Sequence, residues 1–383
     1  MTKQLSILGS TGSIGRQTLD VARRLGLEIT ALTAHKDVAR MEEQIRQFRP
    51  KLAVLTDEAA ARDLKVRVRD LSVKVASGPE GLVEAATLPE SDTVLTAVMG
   101  MVGLRPTLAA IDAGKRIALA NKETLVCGGE LVMAAAKEKG IIILPVDSEH
   151  SAVFQCLQGC RDKKEIRRLI ITASGGPFYG KTFEEMESMT RAQALKHPNW
   201  TMGQKITIDS ATMMNKGLEC IEAMWLYDLP LDRITAVIHR QSIVHSLVEF
   251  RDGAVLAQLG TADMRLPIQY ALTWPNRFDC PAPTLDLLSC GPLTFDEPDL
   301  DAFRCMALAL QSARTGGTAP AVLNGANEAA VALFLADKIG FNDIYRLVDR
   351  ALTTIKPVFA PTLDQILEAD RAARAIVQDA AHT

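Results

Sequence analysis

The chain has no large excess of charge of either sign: across 383 residues, 43 lysines and arginines stand against 46 aspartates and glutamates. A broad polyanion-binding face needs a surplus of cations on one surface, so nucleic acid is not an expected partner, while a local anion site is compatible with this balance. Long apolar runs are also missing. None approaches the roughly 20 residues that cross a bilayer, and no membrane partner is expected. The first residues, Met1 to Leu8, pass straight into a turn with no apolar or Arg/Ser-rich leader, so no export or organelle signal is read there. The seven cysteines (127, 156, 160, 220, 280, 290 and 305) are dispersed and lack zinc-type spacing. Reduced thiols and a cytoplasmic location follow as the expectation, with Cys156 and Cys160 sharing a helix face. Repeats and low-complexity tracts are absent too.

What is present divides into regions of different rhythm. The chain is too long for one ordinary core, so two or three domains are expected. Up to about residue 146, short β-rich runs alternate with helical ones: Leu5 to Leu8, Ile29 to Thr33, Leu52 to Leu55, Val73 to Ala76, Thr93 to Val98, Ile117 to Leu119 and Ile141 to Val146. That alternation predicts an α/β fold with a Rossmann-like, doubly wound parallel sheet over residues 1–149. Leu169 to Thr172, Ile234 to His239, Ser242 to Phe250 and Val255 to Leu259 read as strands of an α+β catalytic domain over 150–274. The last two read as antiparallel around Arg251-Asp252-Gly253. Prolines from Pro275 to Pro298 predict a linker over 275–299. Helical periodicity in Phe303 to Ala313, Ala319 to Lys338, Ile344 to Ile355 and Leu363 to Ala381 predicts a C-terminal helical bundle over 300–383.

The first chemical signal is Gly9-Ser10-Thr11-Gly12-Ser13-Ile14-Gly15, which follows a strand and opens a helix near Arg16. Amides at a helix start hold a pyrophosphate, and glycines allow the tight turn and close approach. The Gly-x-x-Gly-x-x-Gly spacing departs from the commoner Gly-x-Gly-x-x-Gly, so a purely structural turn stays open beside the dinucleotide reading. The end of the second strand selects the dinucleotide. There Lys36, with His35, offers charge to a 2′-phosphate, Asp37 opposes one if it points the same way, and solvated loop charges are the alternative.

The second signal is a set of carboxylates. Asp147 and Glu149 follow the apolar run Ile141 to Val146, and an extended chain puts them on one side beyond a strand end. Glu219 closes the run Lys205 to Glu219, read as a short strand entering a helix on which Asn215, Lys216 and Glu219 share a face. Three carboxylates select a hard cation, Mg²⁺ or Mn²⁺, over zinc; helix caps are the competing explanation. Ser210, Asn215 and Lys216 offer donors suited to a phosphate monoester, against an ordinary Lys216–Glu219 surface pair. Two loops complete the set, Ser174-Gly175-Gly176-Pro177-Phe178 and His197-Pro198-Asn199-Trp200-Thr201-Met202-Gly203. The second has the composition of a mobile lid, or else of a rigid turn with Trp200 in the core.

Taken together, Gly9 to Gly15, Asn121-Lys122-Glu123-Thr124-Leu125-Val126, Pro145 to Ala152, His197 to Gly203 and Ile208 to Glu219 closely resemble the 1-deoxy-D-xylulose 5-phosphate reductoisomerase family, collinearly over nearly the whole chain. The resemblance implies an NADPH-dependent homodimer that rearranges and reduces 1-deoxy-D-xylulose 5-phosphate to 2-C-methyl-D-erythritol 4-phosphate, an isoprenoid precursor step, with a divalent metal. It implies Asp147, Glu149 and Glu219 as metal ligands and, with Lys122 and His197, as the catalytic groups, Lys122 and Ser148 touching the substrate's oxygenated carbons. Strand geometry sends Ser148 to the opposite side, so a turn must begin there if that role holds.

The resemblance further implies Ser174, Ser210, Asn215 and Lys216 at the substrate phosphate, His197 beside them and Trp200 over the carbon chain. Thr11, Gly12, Ser13, Ile14, His35, Lys36, Asp37, Asn121, Glu123 and Gly203 are the implied cofactor contacts. His35 and Asp37 stand where the family often has Gly and Asn, so the adenosine end departs from the pattern while Lys36 is retained. Retro-aldol cleavage and recombination, followed by hydride delivery, is the implied chemistry. An NAD(P)-dependent hydroxy-acid or homoserine-type dehydrogenase is the rival enzyme, which leaves the three carboxylates without a shared role; a nucleotide-sensing protein, which predicts dinucleotide binding without turnover, is the rival outside enzymes.

Overall fold

The computed structural model describes residues 1–200 and 202–380. Thr201 of the expected lid and residues 381–383, including the end of the expected last helix, lie outside the described residues.

Contacts divide the chain into two compact units. One comprises residues 1–124, 132–151 and 263–283; the other comprises 125–131, 152–262 and 284–383. The first is built on seven parallel strands, β1 (Gln4–Leu8), β2 (Glu28–Ala34), β3 (Leu52–Leu55), β4 (Lys74–Ser77), β5 (Thr93–Thr96), β6 (Arg116–Leu119) and β7 (Ile143–Pro145). Their order is β4-β3-β2-β1-β5-β6-β7. Helices cover both faces, so β1 and β3 are buried apolar runs with little alternation. The order reverses direction between β1 and β5, and ligands of such sheets enter the crevice at the carboxyl ends of those strands. Gly9 lies there with φ +93°, and a Cβ on it would come within 2.6 Å of the Ala97 carbonyl oxygen just past β5. The helix Arg265–Thr273 joins this unit by packing on the helix Ser13–Leu25.

The second unit carries β8 (Ile166–Ala173), β9 (Ile234–Ile238), β10 (Val244–Phe250) and β11 (Val255–Leu259), in the order β11-β10-β8-β9. The hairpin around Arg251 to Gly253 forms as expected, with Gly253 at φ +90°. The sheet is mixed, because β9 returns parallel to β8 after a long helical crossover. Four helices follow: Arg304–Thr315, Ala319–Leu335, Asp343–Thr354 and Leu363–Ala380. Nearly every residue of Ala319–Leu335 is buried, as its continuous apolar sequence requires. No helix or strand occurs between Thr273 and Arg304. The α/β class, the parallel sheet, the second sheet and the helical C-terminal region are those expected.

Two local expectations fail. The segment before Ser210 is the helix Gln204–Ala211 and not a strand. Its Ile206-Thr207-Ile208 stretch has β-rich composition, but Thr207 Oγ donates back to the Gly203 carbonyl at 2.9 Å, and tertiary burial overrides a weak propensity. Cys156 and Cys160 do not share a helix face, because their helix, Ser148–Cys156, ends at the first of them and a turn closes with Cys160 N donating to Leu157 O.

Candidate active site

The glycine loop connects β1 to the helix Ser13–Leu25, whose N-cap is Gly12 with no side-chain cap and no acidic residue in the first turn. Its first amides are therefore left for an outside acceptor. Gly15 is needed by the fold, since a Cβ on it would collide with the Gly9 carbonyl. Gly12 is different: a Cβ there would stand 3.5 Å from the nearest protein atom, Gly9 O, with φ negative, so neither crowding nor backbone strain demands glycine. A bare backbone at a helix start fits close approach by a phosphate. The loop is pinned from below by Gln44, which the sequence reading missed. Ser10 Oγ donates to Gln44 Oε1 at 2.7 Å and Gln44 Nε2 donates to Ser10 O at 2.9 Å.

At the adenosine end, His35 and Lys36 are exposed, with His35 Nδ1 2.8 Å from Thr56 Oγ. Asp37 caps the helix Val38–Phe48 by accepting from Arg40 N at 3.2 Å, and its other oxygen pairs with the Arg40 guanidinium at 3.2 Å. Arg40 also donates to Thr11 O at 3.3 Å. Asp37 is thus held by a helix cap and by a cation three residues on. Asn121 and Glu123 are both buried. Asn121 caps the helix Lys122–Lys139 and donates to Val98 O at 2.7 Å, Gly100 O at 3.1 Å and Glu123 Oε2 at 3.1 Å. It ties the end of β6 to the segment after β5.

Asp147 and Glu149 do not converge as residues two apart in a strand. β7 ends at Pro145 and a helix begins at Ser148, with Glu149 in its first turn and its amide donating to Asp147 Oδ1 at 3.4 Å. The turn at Ser148 that the family role required is present, and Ser148 Oγ donates to Glu149 Oε2 at 2.5 Å. Asp147 Oδ2 is 3.0 Å from Lys122 Nζ. Glu219 lies on the helix Met214–Tyr227, 1% exposed, ion-paired with the buried Lys216 and accepting from Asn215 Nδ2 at 2.5 Å. A Lys216–Glu219 surface pair is ruled out by that burial. A ligand oxygen of Asp147 and one of Glu149 lie within 4.8 Å of each other, and Glu219 offers a third carboxylate. Carboxylate oxygens of this kind suit a hard divalent cation.

Around the second loop, His197 Nδ1 accepts from Trp200 N at 2.9 Å and Asn199 N at 3.2 Å. Its proton therefore sits on Nε2, which donates to Ser174 Oγ at 3.0 Å. Burial, followed by the charge of Arg240, lowers its pKa to about 4, so the ring is neutral near pH 7. Arg240 fixes the Ser174 loop, donating to Ser174 O at 2.6 Å and Gly176 O at 2.8 Å, and Asn199 Nδ2 donates to Arg240 O at 2.6 Å. Trp200 is partly exposed and its ring centroid is 6.1 Å from that of the buried His245. Gly176 has φ +67°, and a Cβ on it would stand 2.5 Å from Ser210 O, so the Ser174 loop rests on the backbone of Ser210. Met213, at φ +59°, reverses the chain between Ser210 and Asn215. Gly203 caps the helix Gln204–Ala211 and is exposed, and a Cβ on it would meet open space among the described residues. Arg240 and His245 carried no sequence signal, because each acts through contacts distant along the chain.

Family models for 1-deoxy-D-xylulose 5-phosphate reductoisomerase match residues 5–129, for its C-terminal domain residues 143–227, and for a further DXP reductoisomerase C-terminal domain residues 259–376. The chain belongs to the 1-deoxy-D-xylulose 5-phosphate reductoisomerase family. Among its relatives, the reductoisomerase of Ruminiclostridium cellulolyticum is 50% identical over 98% of both chains. That of Heliobacterium modesticaldum is 54% identical over 98% of this chain and 96% of its own. The solved Zymomonas mobilis reductoisomerase in complex with NADPH superposes with TM-score 0.93 at 43% identity over 100% of each chain. A DOX-P reductoisomerase in complex with NADPH, fosmidomycin and magnesium gives 0.95 at 44% identity over 99% of this chain and 98% of that one. The expected reductoisomerase activity is that of the family, and the expected NADPH and divalent metal agree with those complexes. The dehydrogenase and sensor readings fall away.

Proposed function

We propose that this chain rearranges and reduces 1-deoxy-D-xylulose 5-phosphate to 2-C-methyl-D-erythritol 4-phosphate, using NADPH and Mg²⁺ or Mn²⁺, as a cytoplasmic homodimer without nucleic-acid or membrane partners. No described helix is long and apolar enough to cross a membrane. The observation that carries the reading is the approach of Asp147 and Glu149 oxygens within 4.8 Å of each other, in a chain matched along its length by one family.

Asp147, Glu149 and Glu219 hold the metal. When bound, the metal polarises the substrate's C2 carbonyl and C3 hydroxyl oxygens, and NADPH supplies the hydride. Lys122, held by Asp147, donates to an oxygen of the rearranging carbons, and Ser148 orients the same end of the substrate. Ser174, Ser210, Asn215 and Lys216 bind the phosphate, with neutral His197 donating from Nε2 beside them. Binding the phosphate away from the reacting carbons anchors the substrate and supplies energy for closing the Trp200 loop over it, which excludes water. Thr11, Gly12, Ser13 and Ile14 take the cofactor pyrophosphate, Lys36 with His35 and Asp37 line the adenosine end, and Asn121, Glu123 and Gly203 complete the cofactor contacts.

Incubation of the purified protein with substrate, NADPH and Mn²⁺ is expected to yield 2-C-methyl-D-erythritol 4-phosphate, identified by mass and NMR, with turnover stopped by chelator and restored by Mn²⁺. NADPH oxidation indifferent to chelator, or a different product, contradicts the proposal.

A further inference from the structure

Asp209 stands next to Ser210 on the helix Gln204–Ala211 and is only 1% exposed. A buried carboxylate is tolerated only when its oxygens are met. Here Oδ1 accepts from Asn327 Nδ2 at 2.8 Å and Oδ2 pairs with Lys205 Nζ at 2.8 Å. Asn327 is fully buried on Ala319–Leu335, a helix whose other buried residues are almost all apolar or glycine. Its own Oδ1 is buried without a partner among the described residues. An amide in this position leaves an oxygen unsatisfied, a cost that a leucine of similar size avoids, so the bond it donates to Asp209 needs a reason.

The two bonds to Asp209 are not equivalent. Lys205 belongs to the same helix, one turn away, so its ion pair turns with that helix and cannot fix its rotation. Asn327 comes from another helix and can. Ser210 follows Asp209 by about 100° around the helix axis, so a roll that relieved an unmet Asp209 oxygen would swing Ser210 as well. The loop bearing Ser174 also rests on the Ser210 backbone through Gly176.

We infer that Asn327 is a positioning residue for the substrate phosphate: through Asp209 it sets the rotation of the helix Gln204–Ala211 and so the direction of Ser210. The C-terminal helices thereby take part in substrate binding. This rests on the proposed role of Ser210.

The test compares full-length Asn327→Leu, Asn327→Ala and Ser210→Ala with the unmodified enzyme. Asn327→Leu is expected to raise both the KM for 1-deoxy-D-xylulose 5-phosphate and the inhibition constant of inorganic phosphate by about tenfold, with kcat and the KM for NADPH within about twofold. Asp209→Asn combined with Asn327→Asp exchanges donor and acceptor and should bring both constants back toward their original values. If Asn327→Leu does not fold, Asn327→Ala and the exchanged pair decide by the same readouts. Ser210→Ala raising both constants while the Asn327 variants leave them unchanged overturns the inference alone. Unchanged constants in Ser210→Ala remove the phosphate role of Ser210 and the inference with it. A uniform fall in kcat and rise in both KM values shows that Asn327 is merely structural, and also overturns it.

Discussion

Lys122 Nζ lies 3.0 Å from Asp147 Oδ2, with 8% and 13% of the two side chains exposed. The pair exists because β6 and β7 are parallel neighbours with Leu119 opposite Pro145, so the residues just past their carboxyl ends are brought side by side. A shielded ammonium is worth more to a developing negative charge than one in water. Lys122→Met is expected to lower kcat/KM by roughly 10²-fold or more with little change in thermal unfolding. Steady-state kinetics beside a melting curve check this; a loss of activity in step with a collapse of the melting temperature would mark the lysine as structural.

Glu219→Gln keeps the shape of the side chain but removes a charged ligand. Its apparent affinity for Mn²⁺ should fall by roughly 10- to 100-fold or more, with activity partly recovered at high metal concentration. Titrating Mn²⁺ into the chelator-treated variant measures this. Wild-type metal dependence would exclude Glu219 as a ligand.

Lys216→Ala and Asn215→Ala should chiefly raise the KM for the phosphorylated substrate, by about tenfold each, the scale of one charged or neutral hydrogen bond. Both side chains also contact Glu219, so metal affinity should be measured in the same variants. A KM that does not move takes them out of the phosphate site.

The His197 ring is held neutral in the fold, with its pKa depressed to about 4 from 6.5. A histidine with a lowered folded pKa binds fewer protons folded than unfolded between those values. Its contribution to stability is therefore complete above pH 6.5 and is lost as pH falls toward 4. Protonation of Nδ1 also removes the acceptor for Trp200 N and Asn199 N. NMR titration of the ring should give a midpoint well below 6, and Trp200 fluorescence should change with the same midpoint. A midpoint near 6.5 would contradict the buried, neutral ring.

Asp37→Asn should raise the preference for NADPH over NADH a few-fold, because asparagine caps a helix as well as aspartate does while its negative charge and its hold on Arg40 are gone. The ratio of kcat/KM for the two cofactors reads this out. An unchanged ratio would place Asp37 away from the adenosine end.

Helices and strands were legible wherever periodicity was strong. The seven parallel strands and the four C-terminal helices lie within a few residues of where their apolar patterns end. The strand read before Ser210 was lost because a short β-branched stretch carries little information against the packing of a helix. The convergence of Asp147 and Glu149 was legible in outcome but not in cause, since a helix starting at Ser148 produced it and not the pleat of a strand.

By itself, the order of residues determined the alternating α/β rhythm, the glycine turn at the end of β1 and the identities of the carboxylates, hydroxyls and cations available for chemistry. These are local properties, set by side-chain periodicity and backbone freedom. Only the tertiary structure decided that Arg240 clamps the loop of Ser174 and that Asn327 reaches Asp209. Each of these pairs joins separate elements whose facing sides are chosen by how the cores pack, and no spacing along the chain encodes that choice.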